Sequence, residues 1–153
     1  MEWFTLASTL VGGMIAAVAA LLADGRRWKR ERSNQSAEVR RTLYGSYLAS
    51  LTQARHTCSA LARDPEASAA ARRSAINVAF DPCNAFRAQV TIVAPWELVT
   101  PSRRAFLDLQ EFGNRIVAGL NLEDPEYTVR RIRHDQLLTV LIDAMRKDLG
   151  NAT

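Results

Sequence analysis

The hydrophobic pattern of the chain begins with a run that carries no charge, from Trp3 to Ala23, directly before a cluster of basic side chains. As a helix this run is about 31 Å long, which matches the hydrocarbon thickness of a bilayer. A cleaved signal peptide would place its positive charge before a shorter apolar core, and here only Met1 and Glu2 precede it. The pattern predicts a single transmembrane helix, residues 1–24.

The residues after the apolar run predict its orientation. Residues 25–36 form a basic juxtamembrane segment, whereas no Lys or Arg precedes the run. The positive-inside rule then places the N-terminus outside a plasma membrane and the C-terminal domain in the cytoplasm, with Trp3 and Trp28 as one aromatic anchor at each interface. We expect binding to anionic lipid headgroups through six side chains of this segment. They are Arg26, Arg27, Trp28, Lys29, Arg30 and Arg32.

One face of the predicted membrane helix carries small residues at spacings of four, namely Ser8, Gly12, Ala16 and Ala20. Small residues at this spacing let two helix backbones approach closely in lipid. The stripe therefore favours a homo-oligomer formed through the membrane helix. The alternative is that Ala and Gly are simply frequent, both in this chain and in membrane helices generally.

From residue 37 onward the apolar residues recur at steps of three and four, which is typical of amphipathic helices. The pattern predicts four of them: Val39 to Leu61, about 66–93 after the cap Asp64, about 101–119 after the cap Thr100, and about 125–149 after Asp124. Proline just inside a helix start, after a capping side chain, supports the last three beginnings. Short connections make sequential helices antiparallel. The predicted fold is all-α: one N-terminal transmembrane helix and then an antiparallel four-helix bundle over residues 37–150.

Three details of this scheme remain open in the sequence. Asp81-Pro82 lies inside the second helix of the bundle and marks either a break or a kink, of which the kink is favoured because both halves keep one apolar face. Trp96 is expected in the following loop, where a plug on the end of the core is favoured over a residue that stacks on a ligand. The absence of proline between Met1 and Arg63 leaves open whether the membrane helix continues into the first bundle helix.

The charge distribution narrows the classes of partner. Residues 24–41 alone carry a net charge of +4, which equals the charge of the whole chain, so the rest of the bundle is nearly neutral. A nucleic-acid-binding domain is usually basic over its globular part, and we therefore expect no nucleic-acid partner. Arg far outnumbers Lys and alanine is the commonest residue, which is typical of a GC-rich bacterial genome.

The sequence lacks the patterns from which common catalytic and metal sites are built. It has no Glu-x-x-His pairs for a di-metal bundle, no Cys-x-x-Cys, no phosphate-binding glycine loop and no nucleophile elbow around Gly45-Ser46. We therefore predict no catalytic residue, no metal site and no cofactor. Cys58 and Cys83 are interpreted as unpaired buried residues of a protein in a reducing compartment, about 16 Å apart along the helices.

The remaining polar residues favour a structural interpretation. His56 and His134 are expected at the surface or the edge of the core. Asp108 and Glu111 are interpreted as part of a solvated face with weak ion pairs. Arg130, Arg131 and Arg133 form a basic patch, either as another solvated face or as a binding site for an acidic partner.

Several motifs resemble a loosely defined group of uncharacterised actinobacterial small membrane proteins. They are the Arg/Glu-rich exit Arg26–Arg32, the helix residues Arg41, Tyr44, Tyr47 and Leu48, the mid-chain Val90, Ala94 and Pro95, and the closing residues 144–150. The resemblance implies an N-terminal membrane span followed by a cytoplasmic helical bundle. It implies no activity and no functional residues.

Together these features favour a membrane-anchored scaffold or protein-interaction module, which is not an enzyme and whose cytoplasmic protein partner is unknown. The alternative is an oligomerising membrane-active effector of a phage or defence type, which the small-residue stripe supports.

Overall fold

A computed structural model describes residues 35–150 of the chain. It contains four α-helices: α1, described over residues 35–62, α2 (Ala69–Val93), α3 (Trp96–Val117) and α4 (Pro125–Gly150). The predicted all-α arrangement of four helices is confirmed for this part of the chain. Within it, no helix is both long enough and apolar enough to cross a membrane. The predicted transmembrane helix lies outside the described residues.

Contacts between α1 and α4 show that these two helices are antiparallel. Arg40 Nε, near the beginning of α1, lies 3.2 Å from Asp148 Oδ2, near the end of α4. At the other end of the bundle, Tyr127 donates a hydrogen bond of 3.1 Å from its hydroxyl to Ser59 Oγ. The sequence positions on the two helices therefore run in opposite directions along the bundle.

The neighbours of α3 are antiparallel to it as well. On the α2 side, the rings of Phe80 and Phe106 pack edge to face at 6.0 Å, and Arg72 Nη1 donates to the Ile116 carbonyl at 3.1 Å. Toward α4, Arg133 Nε lies 2.8 Å from Asp108 Oδ1. The chain thus goes up, down, up and down, as the short connections predict.

The core is formed by one stripe from each helix. Tyr47 of α1 lies at its centre, fully buried, and donates from its hydroxyl to the Ser102 carbonyl of α3 at 3.3 Å. The other large side chains with almost no exposure are Leu51, Val90, Leu98, Leu109, Phe112, Ile116, His134 and Leu141. Because all four helices contribute, the bundle closes around a single hydrophobic core.

The predicted start of α2 was wrong by several residues. The helix begins at Ala69, and its cap is Ser68, whose hydroxyl accepts a hydrogen bond from the Ala71 amide at 3.2 Å. The Asp64 carboxylate, which the sequence nominated as the cap, instead accepts from the Glu66 amide at 3.1 Å within the connecting turn. An Asp side chain satisfies a turn as readily as a helix start, so the cap signal alone did not distinguish them.

The start of α3 was also predicted wrongly, because the helix begins before Pro101. It starts at Trp96, so Pro101 lies inside the helix and one backbone hydrogen bond to the Glu97 carbonyl is missing. Leu98 is nevertheless almost fully buried, on the same face as Ser102 and Leu109. Burial of this extra turn against the core outweighs the lost hydrogen bond. Trp96 is therefore neither in a loop nor a plug, since it is 76% exposed.

Three further features of the helices agree with the sequence. Helix α2 continues through Pro82, as the preserved apolar face indicated, and α4 begins at Pro125. Helix α3 ends at Val117, close to the predicted end at Gly119. Gly119 has φ of 107°, a left-handed conformation that glycine adopts without strain, and it lets the Leu120 amide bond back to the Arg115 carbonyl at 2.9 Å.

Candidate functional site

The residues that the sequence nominated for headgroup binding and for helix association all lie outside the described part of the chain. They are the headgroup-binding residues Arg26, Arg27, Trp28, Lys29, Arg30 and Arg32 and the association stripe Ser8, Gly12, Ala16 and Ala20. Both sets remain predictions. The structure adds candidate sites within residues 35–150, and these are two apolar surfaces and one buried polar cluster.

The first apolar surface lies at the end of the bundle where α1 begins. A groove of about 560 Å³ separates the first turns of α1 from the last turns of α2, and Val39, Phe86 and Ile92 are among its lining residues. Ile92 is 80% exposed and Trp96, at the start of α3, is exposed at the same end. We call Val39, Ile92, Val93 and Trp96 the entry-end patch, because the chain enters the bundle here.

The second apolar surface runs along the outer face of α4. Val129, Ile132 and Val140 are between 49% and 64% exposed. At 100° per residue these three side chains and Gln136 fall within about 80° of one another, opposite the buried stripe that includes Tyr127 and Leu141. A solvated helix face is normally polar, so this outer stripe of α4 is unpartnered apolar surface within the described structure.

The sequence pattern assigned some of these residues to the core. Val39, Val78, Val129 and Ile132 all belong to the helical pattern of apolar residues in the sequence, and the structure places all four on the surface. In α4 the apolar residues surround the helix, so periodicity alone could not choose the inner face. A signal was present in the spacing of seven between Tyr127, His134 and Leu141, which marks the buried face.

The buried polar cluster lies between α3 and α4, where the sequence analysis expected a solvated face. The Asp108 side chain is only 8% exposed and its two oxygens face Arg133 Nε at 2.8 Å and His134 Nδ1 at 3.7 Å. His134 itself is completely buried, and neither of its ring nitrogens has a hydrogen-bond partner among the described residues. Asp108 is therefore not part of a solvated face, and of the two positions expected for His134 the surface is wrong.

Burial lowers the pKa of His134, because the charged imidazolium loses its hydration inside the bundle. The carboxylates of Asp108 and Asp135 oppose this shift, whereas the nearby Arg55 reinforces it. Arg55 and Asp135 also face each other, with Arg55 Nη1 3.7 Å from Asp135 Oδ1. His134 is thus a neutral core residue near neutral pH, among charges that come from α1, α3 and α4.

We expect the bundle to lose stability in mild acid because of His134. The unfolded chain binds a proton at the ordinary histidine pKa of about 6.5, whereas the folded chain binds it only at lower pH. The stability contributed by the neutral ring is therefore complete above pH 6.5 and is lost as the pH falls from there through the lower pKa of the folded state. Urea unfolding of wild type and His134→Leu above and below about pH 6.5 measures this difference.

His56 provides the matched control, because it is exposed on α1. His56→Gln should keep the pH dependence of the wild type, whereas His134→Leu should flatten it. An equal pH dependence in wild type and His134→Leu would show that the buried histidine is not its source.

The predicted basic patch of α4 is largely neutralised by partners. Arg130 lies 2.7 Å from Glu126 Oε1 and 3.6 Å from Glu111 Oε1, and Arg133 is paired with Asp108. Hydrogen bonds from Arg115 and Arg130 lower the pKa of Glu126 to about 2, so this carboxylate stays charged at neutral pH. Apart from the Arg130–Glu126 pair within α4, these pairs connect α3 to α4. Together they leave less positive charge for an acidic partner than the sequence suggested.

Cys58 and Cys83 are free and buried, in agreement with the expectation that they form no disulfide. Burial raises the pKa of Cys58 to about 12, with smaller effects from its own backbone and from Cys83, so the thiol stays protonated. Within residues 35–150, no three His, Cys, Asp or Glu side chains form a group that could hold a metal ion.

Comparisons with known proteins add no relative to these observations. No protein-family model matches the chain, and neither the curated proteins nor the solved structures contain a significant match to it.

Proposed function

We propose that the protein is a bacterial membrane-anchored helical bundle that acts as an interaction module for a cytoplasmic protein. The observation that carries the interaction role is the outer stripe of α4, where Val129, Ile132 and Val140 expose an apolar line of about 16 Å along the helix. Such a line fits the apolar face of an amphipathic helix, which is a common mode of protein recognition.

The position of the stripe suits a partner that approaches from the cytoplasm. Val129 and Ile132 lie in the first half of α4, which pairs with the end of α1, far from the entry of the chain into the bundle. If residues 3–23 span the membrane, this half of the bundle is the one further from the lipid. A protein partner would reach it without competing with the bilayer.

Anchorage and orientation are tested on the full chain. We expect the protein to remain in the membrane fraction after alkaline carbonate washing, because an apolar run of this length inserts stably. A green fluorescent protein fused after Thr153 should fluoresce, and alkaline phosphatase at the same place should be inactive. Recovery in the soluble fraction, or an active phosphatase fusion, would contradict the proposal.

The interaction role is tested with a photo-crosslinking residue at Gln136, in the middle of the outer stripe. We expect one defined cross-linked protein from native membranes, and Ile132→Asp should reduce its yield by about tenfold, since a buried contact residue contributes one or more kcal/mol. Val78→Asp is the control, because Val78 is similarly exposed but lies on α2. Cross-linking only to a second copy of the chain would contradict a separate partner protein and would show instead that the chain forms a dimer through α4.

A second candidate function is an oligomerising membrane-active effector. It is favoured by the small-residue stripe of Ser8, Gly12, Ala16 and Ala20, which suits close helix contacts in lipid. In that case Gly12→Ile should reduce the oligomer size in bilayers, and induced expression of the wild type should collapse the membrane potential. An unchanged potential after expression would exclude this role.

A further inference from the structure

The entry-end patch combines exposed apolar side chains from three separate segments of the chain. Val39 comes from the second turn of the described part of α1, Ile92 and Val93 from the last turn of α2, and Trp96 from the first residue of α3. Ile92 and Trp96 are the most exposed of the large hydrophobic side chains among the described residues. Val39, Ile92 and Val93 line one groove, and Trp96 follows Val93 by three residues at the same end of the bundle. Exposed apolar side chains collected at one end of a domain mark a site that contacts something apolar.

The length of chain before the bundle restricts what that contact can be. Residues 24–34 are all that separates Ala23, the end of the apolar run, from Gln35, the first described residue of α1. Eleven residues span about 16 Å as a helix and at most about 40 Å when fully extended. Gln35 and Ser36 line a hollow together with Val39 and Val93, so the chain enters the bundle beside the patch.

The opposite end of the bundle is far from this point. Helix α2 is 25 residues long, which is about 37 Å, and it runs from the α1–α2 connection to the patch. A membrane-spanning segment that ends at Ala23 therefore keeps the entry end within about 40 Å of the bilayer surface, and within about 16 Å if residues 24–34 continue as a helix. The connections at residues 63–68 and 118–124 lie roughly a helix length from the entry end.

The charges around the patch fit an interfacial contact rather than a purely electrostatic one. Arg41 Nη1 lies 2.7 Å from Glu38 Oε2, and Arg40 faces Asp148, so the cations nearest to the patch on α1 are paired. The other exposed side chains at this end include the branched aliphatics and Trp96, together with the polar Gln89 and Glu97. Tryptophan is enriched at the level of lipid headgroups, because its ring is largely apolar while its indole N–H can stay hydrated there.

A second copy of the chain fits the patch less well than lipid does. A stable protein interface uses about 20–30 residues on each side, whereas the entry-end patch offers four exposed apolar side chains. Shallow insertion into a bilayer needs no such area, because the membrane anchor already holds the bundle at the surface and makes the contact effectively intramolecular.

We infer that the entry-end patch is a lipid-contacting surface, which inserts Trp96 and Ile92 into the interface of the bilayer that the N-terminal segment crosses. This inference rests on the proposed membrane anchorage. It adds that the bundle stands on the membrane in one orientation, with its entry end in the lipid interface and the outer stripe of α4 turned toward the cytoplasm.

The test compares two single-tryptophan versions of the full chain in vesicles of phosphatidylglycerol and phosphatidylcholine that contain a fraction of spin-labelled lipid. One version keeps Trp96 (Trp3→Phe with Trp28→Phe) and the other keeps Trp28 (Trp3→Phe with Trp96→Phe). We expect the spin label to quench Trp96 emission to an extent similar to that of Trp28. We also expect aqueous iodide to quench Trp96 less in vesicles than in a detergent-free urea-unfolded sample.

The outcomes distinguish a failure of the lipid contact from a failure of the proposed membrane anchorage. Quenching of Trp28 by lipid with Trp96 fully open to iodide would keep the anchor and overturn the lipid contact. Protection of Trp96 from iodide without quenching by lipid would mean that protein covers the patch, which also overturns it. No lipid quenching of either residue would reject the membrane anchorage itself.

A charge substitution provides a second, independent measurement. In the version that retains Trp96 alone, Ile92→Asp should abolish the lipid quenching, because a carboxylate resists entry into the interface. Val78→Asp is the matched control, since Val78 is exposed on the same helix about 21 Å away along its axis. Equal quenching after both substitutions would show that Ile92 does not face lipid.

Discussion

Replacing Leu109 by alanine is expected to lower the free energy of unfolding by about 3–5 kcal/mol, the range for a fully buried leucine. Leu109 has no exposed surface and lies between Phe112 and Ala105 on the inner face of α3. Helix α3 packs against both α2 and α4, so the surrounding helices cannot all move inward to fill the cavity. The effect is measured by urea unfolding of the full chain in mild detergent, followed by far-UV circular dichroism.

Leu107 offers a control with the same chemistry and the same helix. It lies two residues away on α3 but is 45% exposed, so Leu107→Ala should change the stability by no more than about 0.5 kcal/mol. The two variants have equal helix propensity, and their difference therefore reports burial alone. Similar losses in both variants would mean that the inner face of α3 is not the one described.

Replacing Gly113 by leucine is expected to destabilise the bundle by about 1–3 kcal/mol through overpacking. Helices α2 and α3 approach closely at this glycine: a Cβ atom there would lie 3.2 Å from Ile76 Cγ2 and 3.5 Å from Phe80 Cε2. A leucine side chain adds three further carbons in the same direction. The helices must then separate, and the contact between Phe80 and Phe106 is weakened.

The matched control is the same substitution at Gly45, where a Cβ atom would meet nothing within 4 Å. Gly45 lies inside α1 and is exposed, so Gly45→Leu should stabilise the bundle by up to about 1 kcal/mol through better helix propensity. The two substitutions are expected to have opposite signs in the same unfolding experiment. A stabilising Gly113→Leu would contradict the close packing of α2 on α3.

The sequence predicted the helices well because their apolar residues recur with a helical period over long stretches. Tyr47, Leu51, Ala54 and Cys58 recur at steps of four and three in the sequence, and the structure buries all four on the inner face of α1. The continuity of α2 through Pro82 also followed from this pattern, since the apolar face has the same direction on both sides of the proline.

The helix starts were predicted less well, because a capping signal is local and several conformations satisfy it. Asp64 and Pro65 suit a turn as well as a helix start, and contacts with more distant residues select one of these two conformations. Arg72 reaches back from α2 and donates to the Asp64 carbonyl at 2.8 Å, which fixes the turn. At α3 the decision came from Leu98, whose burial draws an additional turn into the helix ahead of Pro101.

The candidate sites were likewise predictable only in part from the sequence. That α4 carries apolar residues around its whole circumference is visible in the sequence, but which of them are exposed depends on where α1 and α3 pack. Val129 and Ile132 became surface, and His134 became core, because the packed side of α4 is the one that carries Tyr127 and Leu141. The entry-end patch could not be predicted at all, since it joins residues from α1, α2 and α3.

By itself, the sequence determined the helical class, the number of bundle helices and the concentration of positive charge between residues 24 and 41, because each is a property of neighbouring residues. Only the tertiary structure decided that Asp108 and His134 meet inside the bundle and that Trp96 and Ile92 share an exposed end. Those outcomes depend on how the helices are rotated about their axes. Rotation is fixed by the fit of all four faces into one core, and no single segment carries that information.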